Sequence, residues 1–133
     1  MCLLKSQPLK NFILSILILV PVSLQTEALT RHVVRSHDNG NPYVVVYTKG
    51  EDHERMKEEL FYENGQLDYV GHYKNGREHG KWIYYWENGQ LKSEEYYFKG
   101  KEEGVMYDYD ENGKKTVEYR YVKGVLISEK KLQ

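Results

Sequence analysis

Glu-Asn-Gly-Gln-Leu is written twice in this chain, at residues 63–67 and 87–91, and Glu-Asn-Gly returns at 111–113. A period of 24 residues therefore governs the C-terminal half, giving rows at 63–86, 87–110 and 111–133, the last one residue short. Gly65, Gly89 and Gly113 share one column; Gly76, Gly100 and Gly124 share another; Tyr73, Tyr97 and Tyr121 a third. Gly80 and Gly104 align as well, where the last row has Ser128. A period of this length marks one supersecondary unit that cannot bury its own apolar surface and stacks on its neighbours to do so.

Each row holds two turn signals, and the segments between them, such as KWIYYW (81–86) and KTVEYRYV (115–122), have strand composition. Asn-Gly between alternating aromatic segments favours a type I′ turn, which needs positive φ at both central residues. Asn64-Gly65, Asn75-Gly76, Asn88-Gly89 and Asn112-Gly113 fit that turn, and Lys99-Gly100 and Lys123-Gly124 fit it less well. The expected fold is all-β: a meander of tandem antiparallel hairpins, elongated in one direction.

A two-residue loop at Asn75-Gly76 predicts the register. Tyr69 faces Trp82, Leu67 faces Tyr84 and Gly71 faces Gly80, while the Asn88-Gly89 turn sets Trp86 against Leu91. One face then carries Leu67, Tyr69, Trp82, Tyr84, Trp86 and Leu91. The other mixes Val70, Ile83, Tyr85, Tyr96, Val105 and Tyr107 with Lys81, Lys92 and Glu94. Neither face is purely polar, so the sheet is expected to curl or pack on itself.

A degenerate row occupies 38–62, with YVVVYTKG (43–50) as its first strand. EDHERMKEELFY (51–62) is read as a strand because the row spacing continues through it, a short helix being the alternative. Terminal units of a stack are commonly degraded into caps. At the far end Lys130 and Lys131 fall on the expected last edge strand, where lysine discourages edge-to-edge pairing.

Ahead of the repeats, Lys5 and Lys10 precede the apolar run Phe12–Leu24, and Thr26-Glu27-Ala28 offers a small-residue cleavage site. That order predicts a secretory signal peptide over 1–28, helical in its apolar part, with 29–37 as a linker to the repeat domain 38–133. The run is short of the roughly 20 apolar residues a spanning helix needs. An uncleaved N-terminal membrane anchor is the alternative. The one cysteine, Cys2, lies ahead of the run, so an exported chain cut after Ala28 carries no disulfide.

With 19 basic and 20 acidic residues interleaved, the chain offers no basic stripe for phosphates, so neither nucleic acid nor anionic headgroups are expected partners. Thirteen tyrosines against three phenylalanines suit half-buried strands, the ring packing while the hydroxyl reaches water.

Little of the chain reads as a reaction centre. His72 and His79 fall opposite each other in the expected register, but a third metal ligand is missing, and two polar residues flanking a turn are the simpler reading. DYDENGKKTVEY (108–119) begins like a calcium loop, yet Tyr119 stands where the bidentate glutamate belongs. No nucleophile–base pair, paired carboxylates or phosphate-cradling loop can be assembled, so no catalytic, metal or cofactor-binding residues are assigned.

The row as a whole, with its E-N-G-Q-L-K opening, tyrosine column, G-x-x-x-G spacing and Trp82, resembles the bacterial variant of the MORN (membrane occupation and recognition nexus) repeat. The match is close over 63–110, partial over 111–133 and faint over 38–62. Met106 and Lys130 depart from the tryptophan column, and Ser128 from the glycine column. The resemblance implies an elongated antiparallel sheet serving as an interaction or assembly surface, and some bacterial members carry a toxin–antitoxin antitoxin label.

Tyr69, Trp82, Tyr84 and Trp86 are the candidate binding strip. Trp82, Tyr84 and Trp86 alternate along one strand at about 6–7 Å spacing. Buried, they are core; exposed, they could clamp a peptide or stack sugar rings. The expected function is that of an exported (secreted or periplasmic), non-enzymatic module that binds a protein partner or self-associates. Binding of envelope glycan through the strip is the first alternative. An antitoxin-like role is the second, and it requires that the N-terminus not direct export. A membrane is expected to be met only through an uncleaved N-terminal segment.

Overall fold

The structure, a computed structural model, describes residues 28–133, and every strand among them belongs to one antiparallel sheet. The strands are β1 (Thr30–Ser36), β2 (Pro42–Lys49), β3 (Glu54–Phe61), β4 (Leu67–Lys74), β5 (Arg77–Glu78), β6 (Gly80–Tyr85), β7 (Leu91–Phe98), β8 (Lys101–Glu102), β9 (Gly104–Tyr109), β10 (Lys115–Val122) and β11 (Val125–Lys131). The path runs β1-β2-β3-β4-β6-β7-β9-β10-β11, with the two-residue β5 on β4 and β8 on β7. The meander expected from the period is therefore present, and 51–62 contributes strand β3 rather than a helix. Within 29–37, expected as a linker, Thr30–Ser36 form β1: Val33 pairs with Val45, and His32 Nε2 lies 3.0 Å from the Thr48 hydroxyl. The expected signal segment falls, but for Ala28, outside the described residues.

Asn75-Gly76 is a type I′ turn as expected, but the Glu-Asn-Gly turns and the two Lys-Gly turns exchange the roles anticipated for them. Type I′ geometry belongs to Asn75-Gly76 (φ 52° and 71°), Lys99-Gly100 (54° and 80°) and Lys123-Gly124 (52° and 84°). The Glu-Asn-Gly turns are three-residue loops, in which only the glycine takes positive φ. At 86–90, Gly89 N donates to Trp86 O (2.8 Å) and Trp86 N to Gln90 O (2.7 Å), the pattern of a type I turn closed by a glycine bulge. The asparagine is held at negative φ by its own side chain: Asn88 Oδ1 accepts from Gln90 N (2.9 Å), as Asn64 Oδ1 does from Gln66 N (2.8 Å). A repeated glutamate–asparagine pair thus encodes a loop one residue longer than the dipeptide alone suggests.

The same side chains explain the period. Asn39 Nδ2 donates to Glu63 O (2.9 Å), Asn64 Nδ2 to Glu87 O (3.3 Å) and Asn88 Nδ2 to Glu111 O (3.1 Å), so each turn is tied to the next along one edge. On the other edge Gly100 N donates to Glu78 O and Gly124 N to Glu102 O, both at 2.9 Å.

Register changes follow from these loops. Beyond the Asn75-Gly76 turn, Tyr73 pairs with Glu78 as a two-residue loop requires, but a step of two extra residues around Gly80 (φ 83°) then pairs Tyr69 with Tyr84 and Val70 with Ile83. The expected Tyr69–Trp82, Leu67–Tyr84 and Gly71–Gly80 pairings are displaced by two residues. That is one full period of the pleat, so partners change while Tyr69, Trp82 and Tyr84 keep a common face. Trp86 does not oppose Leu91 either. A shift after Tyr84 pairs Leu91 with Tyr85.

The core is thin. Val45 is fully buried, and Val44, Trp82 and Met106 are nearly so. Lys130 and Lys131 stand on β11, which is an edge of the sheet as expected.

Candidate functional site

Strand pairing brings Tyr69, Trp82 and Tyr84 together on one face of the sheet. The Tyr69 and Trp82 rings stack at 5.5 Å and 22°, Tyr84 lies 5.4 Å from Tyr69, and Tyr73 and Tyr97 flank the indole at 5.4 and 5.6 Å. Trp82 fits here because the facing residue is Gly71, whose bare Cα leaves room for the indole. Its Nε1 donates to His72 O (3.2 Å). With only 7% of its surface exposed, Trp82 is the floor of the cluster, and the half-buried Tyr69 and Tyr84 form its accessible part. Trp86 takes no part in these ring contacts. Its Nε1 donates to Tyr109 O (3.2 Å), and Lys92 Nζ sits 4.7 Å from its ring.

A carboxylate stands beside the phenols. The Tyr69 hydroxyl donates to Glu58 Oε1, Tyr97 to Glu95 Oε2 (2.8 Å) and Tyr119 to Asp108 Oδ2 (2.9 Å). Arg55 donates to the other oxygen of Glu58 at 2.6 Å and lies over the Tyr73 ring. Burial, then the neighbouring carboxylates, pushes the phenols of Tyr69, Tyr84 and Tyr97 well above the ordinary tyrosine range. Tyr119 is pushed up to about 12, first by its hydrogen bond to Asp108. Burial raises the carboxyl of Glu95, aided by the charge of Asp108 and opposed by the Tyr97 hydroxyl. These groups stay protonated or hydrogen-bonded at neutral pH, an arrangement for holding rings in place rather than for transferring protons.

On the opposite face two carboxylates are matched by lysines and phenols. Glu94 pairs with Lys81 and accepts from the Tyr109 hydroxyl (2.7 Å), which holds its carboxyl below the usual range. Glu59 pairs with Lys57 at 2.7 Å and accepts from Tyr47 at 2.8 Å. Lys115 Nζ rests 3.4 Å from the centre of the Tyr107 ring.

The remaining sequence candidates have structural uses. His79 N donates to His72 O (2.9 Å), so the two histidines do pair across the hairpin near its turn, but the His79 ring packs 5.3 Å from Phe98. Among the described residues no group of three or more His, Cys, Asp or Glu is placed to hold a metal. Asp110 Oδ1 accepts from Asn112 N and Lys114 N at 2.9 and 3.0 Å, a hairpin loop in the place of a calcium loop. Glu58 and Glu95 carry no site signal of their own in the sequence, and Asp108 reads there as the start of the calcium-like loop. Glu95 two residues before Tyr97 on a strand was the available signal, since that spacing puts both on one face.

The geometry of hairpins closed alternately by Glu-Asn-Gly and Lys/Asn-Gly turns agrees with a family match: the model described as MORN repeat variant aligns with residues 56–75, 78–99 and 102–123. Residues 56–123 are a MORN repeat variant region. Each matched MORN segment is centred on a Glu-Asn-Gly loop and ends at a type I′ turn. The MORN region thus takes in most of β3 and all of β4 to β10. No curated protein matches the chain. Among solved structures it is similar to chains in the glycosylation-associated protein (Gap123) complex from Streptococcus agalactiae and in accessory secretory protein 1, 2 and 3 of Streptococcus pneumoniae. The first is 19% identical with a TM-score of 0.45, covering 75% of this chain and 18% of that one. The second is 14% identical with a TM-score of 0.43, covering 75% and 21%. The chain therefore spans only about a fifth of either protein's length.

Proposed function

We propose that this protein is an exported, non-enzymatic interaction module that docks a protein partner, or a second copy of itself, on the Tyr69–Trp82–Tyr84 face. One observation carries the reading. The cluster lies on a face that no second layer covers among the described residues, and its tyrosines are held in fixed positions by packing and by carboxylates. Rigid amphipathic rings give contact area with little ordering entropy to lose on binding. Export is supported by the order of charge, apolar run and small residues at 1–28.

The glycan reading draws on the same carboxylates, which could accept from sugar hydroxyls. It is less well served by the burial of Trp82, because a sugar needs an exposed ring face on which to stack. A photo-crosslinking residue at Tyr84, compared with one at Ile83 on the opposite face, tests the proposal in cells. A discrete protein adduct from position 84 and none from 83 is the expected result. Equal labelling from both, or adducts to glycan alone, overturns it. Fractionation of the full-length chain tests export independently.

A further inference from the structure

The type I′ turns align along one edge of the sheet, and they bring a set of cations together. Two adjoining hollows of about 540 Å³ each open here, sharing Lys74, Asn75 and His79. The first is completed by Arg77, Phe98 and Lys99. Lys74 pairs directly across the turn from Arg77. Lys99 begins the next turn, where a Cβ on Gly100 would stand 3.5 Å from Glu78 Oε2 and 3.7 Å from Arg77 Cβ. The chain is nearly neutral overall at −1, yet the lining of the first hollow holds three cations and no carboxylate, whereas the second includes Glu54, whose Oε1 accepts from Asn75 N at 3.0 Å. Among the described residues, ion pairs hold Arg55, Lys57 and Lys81, but none of Lys74, Arg77 or Lys99. Amid these cations Phe98 is 52% exposed, with the His79 ring packed against it at 5.3 Å and Lys99 Nζ 5.2 Å from its centre.

Exposed cations that no carboxylate pairs, around an exposed aromatic ring, call for an occupant with both negative charge and apolar surface. The turns recur at two strand spacings, about 10 Å, which an extended polypeptide spans in about three residues. We infer that this edge binds an extended acidic peptide segment that seats an apolar side chain on Phe98 and His79 and sets carboxylates on Lys74, Arg77 and Lys99. The first hollow is lined by no residue of the Tyr69–Trp82–Tyr84 cluster, and the two can bind at once.

The test uses the full chain and a fluorescent synthetic peptide rich in glutamate with a central phenylalanine, followed by anisotropy at two salt concentrations. Binding is expected to weaken with salt, to fall when the peptide's phenylalanine becomes alanine, and to weaken about tenfold in a Lys74→Ala/Arg77→Ala/Lys99→Ala variant. Phe98→Ser is expected to remove the preference for the aromatic peptide while leaving the salt dependence. Because these side chains are exposed, folding is checked by unchanged tryptophan fluorescence. Equal binding by wild type and triple variant overturns the inference. So does retention of anionic vesicles or inorganic polyphosphate in preference to the peptide. Photo-crosslinking from Tyr84, repeated in the triple variant, separates the two proposals: it is unaffected if only the turn edge fails.

Discussion

The indole of Trp82 lies directly over Gly71, so closely that a methyl group on that glycine would stand 2.5 Å from Trp82 Cδ2. The same two columns one row later hold Glu95 and Met106, and Met106 is as buried as Trp82. Where the first strand carries a side chain, the second carries a slender flexible one. Met106, which departs from the repeat pattern when one column is read alone, is the regular consequence of Glu95. Gly71→Ala is expected to destabilise the protein by about 1–3 kcal/mol through overpacking. Combining it with Trp82→Met is expected to recover part of that loss. Denaturant titration of the two single variants and the double variant measures the coupling, and strict additivity would refute it.

Asn88 acts twice, its Oδ1 shaping its own loop and its Nδ2 reaching Glu111 O. Asn88→Asp keeps the acceptor and loses the donor, so it is expected to cost less than Asn88→Ala. The exposed position limits each effect to about 0.5–1 kcal/mol. Thermal melts of both variants check the order.

Lys123 sits at φ 52°, where a side chain other than asparagine or glycine is strained. Lys123→Asn is expected to stabilise by about 0.5–1 kcal/mol, since asparagine already fills this site at Asn75. The backbone donation from residue 123 to Glu103 Oε2 survives the change. Chemical denaturation gives the sign directly.

Burial raises the carboxyl of Glu95 above its ordinary 4.5. The unfolded chain therefore loses this proton at lower pH than the native one. The stabilising contribution is complete below 4.5 and is lost as pH rises through the higher native value. Glu95→Gln, which keeps an acceptor for the Tyr97 hydroxyl, is expected to raise the melting temperature at pH 7 and to make no such gain at pH 4. A lower Tm at pH 7 would contradict this assignment.

At the alkaline end, Tyr62 is pushed up to about 12 by burial and then by Asp68, and Tyr119 reaches about the same value. Unfolded tyrosines ionise near 10. Stability is thus expected to fall between about pH 10 and 12, with phenolate absorbance rising together with loss of structure rather than ahead of it. An early, separate ionisation of these phenols would count against their half-buried, hydrogen-bonded placement.

How far the sequence discloses this fold differs by element. The glycine columns made the meander and the strand at 54–61 legible, because turn chemistry is local. Loop length was not legible. The dipeptide Asn-Gly looks the same in both turn families, and only the asparagine's capture of a following amide decides between them. Register inherited that error, together with the extra step near Gly80. Strand β1 went unread because its signal is a long-range pairing of Val33 with Val45, with no turn glycine before it. Of the candidate strip, Tyr69, Trp82 and Tyr84 do meet. Trp86 separates from them because the sheet shifts register after Tyr84, something no alternation pattern announces.

The bonds from Asn39 to Glu63, from Asn64 to Glu87 and from Asn88 to Glu111 all run the same way, donor in the earlier loop and acceptor in the later. Such an edge has a direction, like overlapping roof tiles. Excising one interior hairpin would sever the tie it receives and the tie it gives, and the flanking loops could rejoin only if the excision spanned a whole period. Natural length variation in chains of this kind should therefore come in steps of complete units, with shorter insertions tolerated only where no neighbour's amide is waiting.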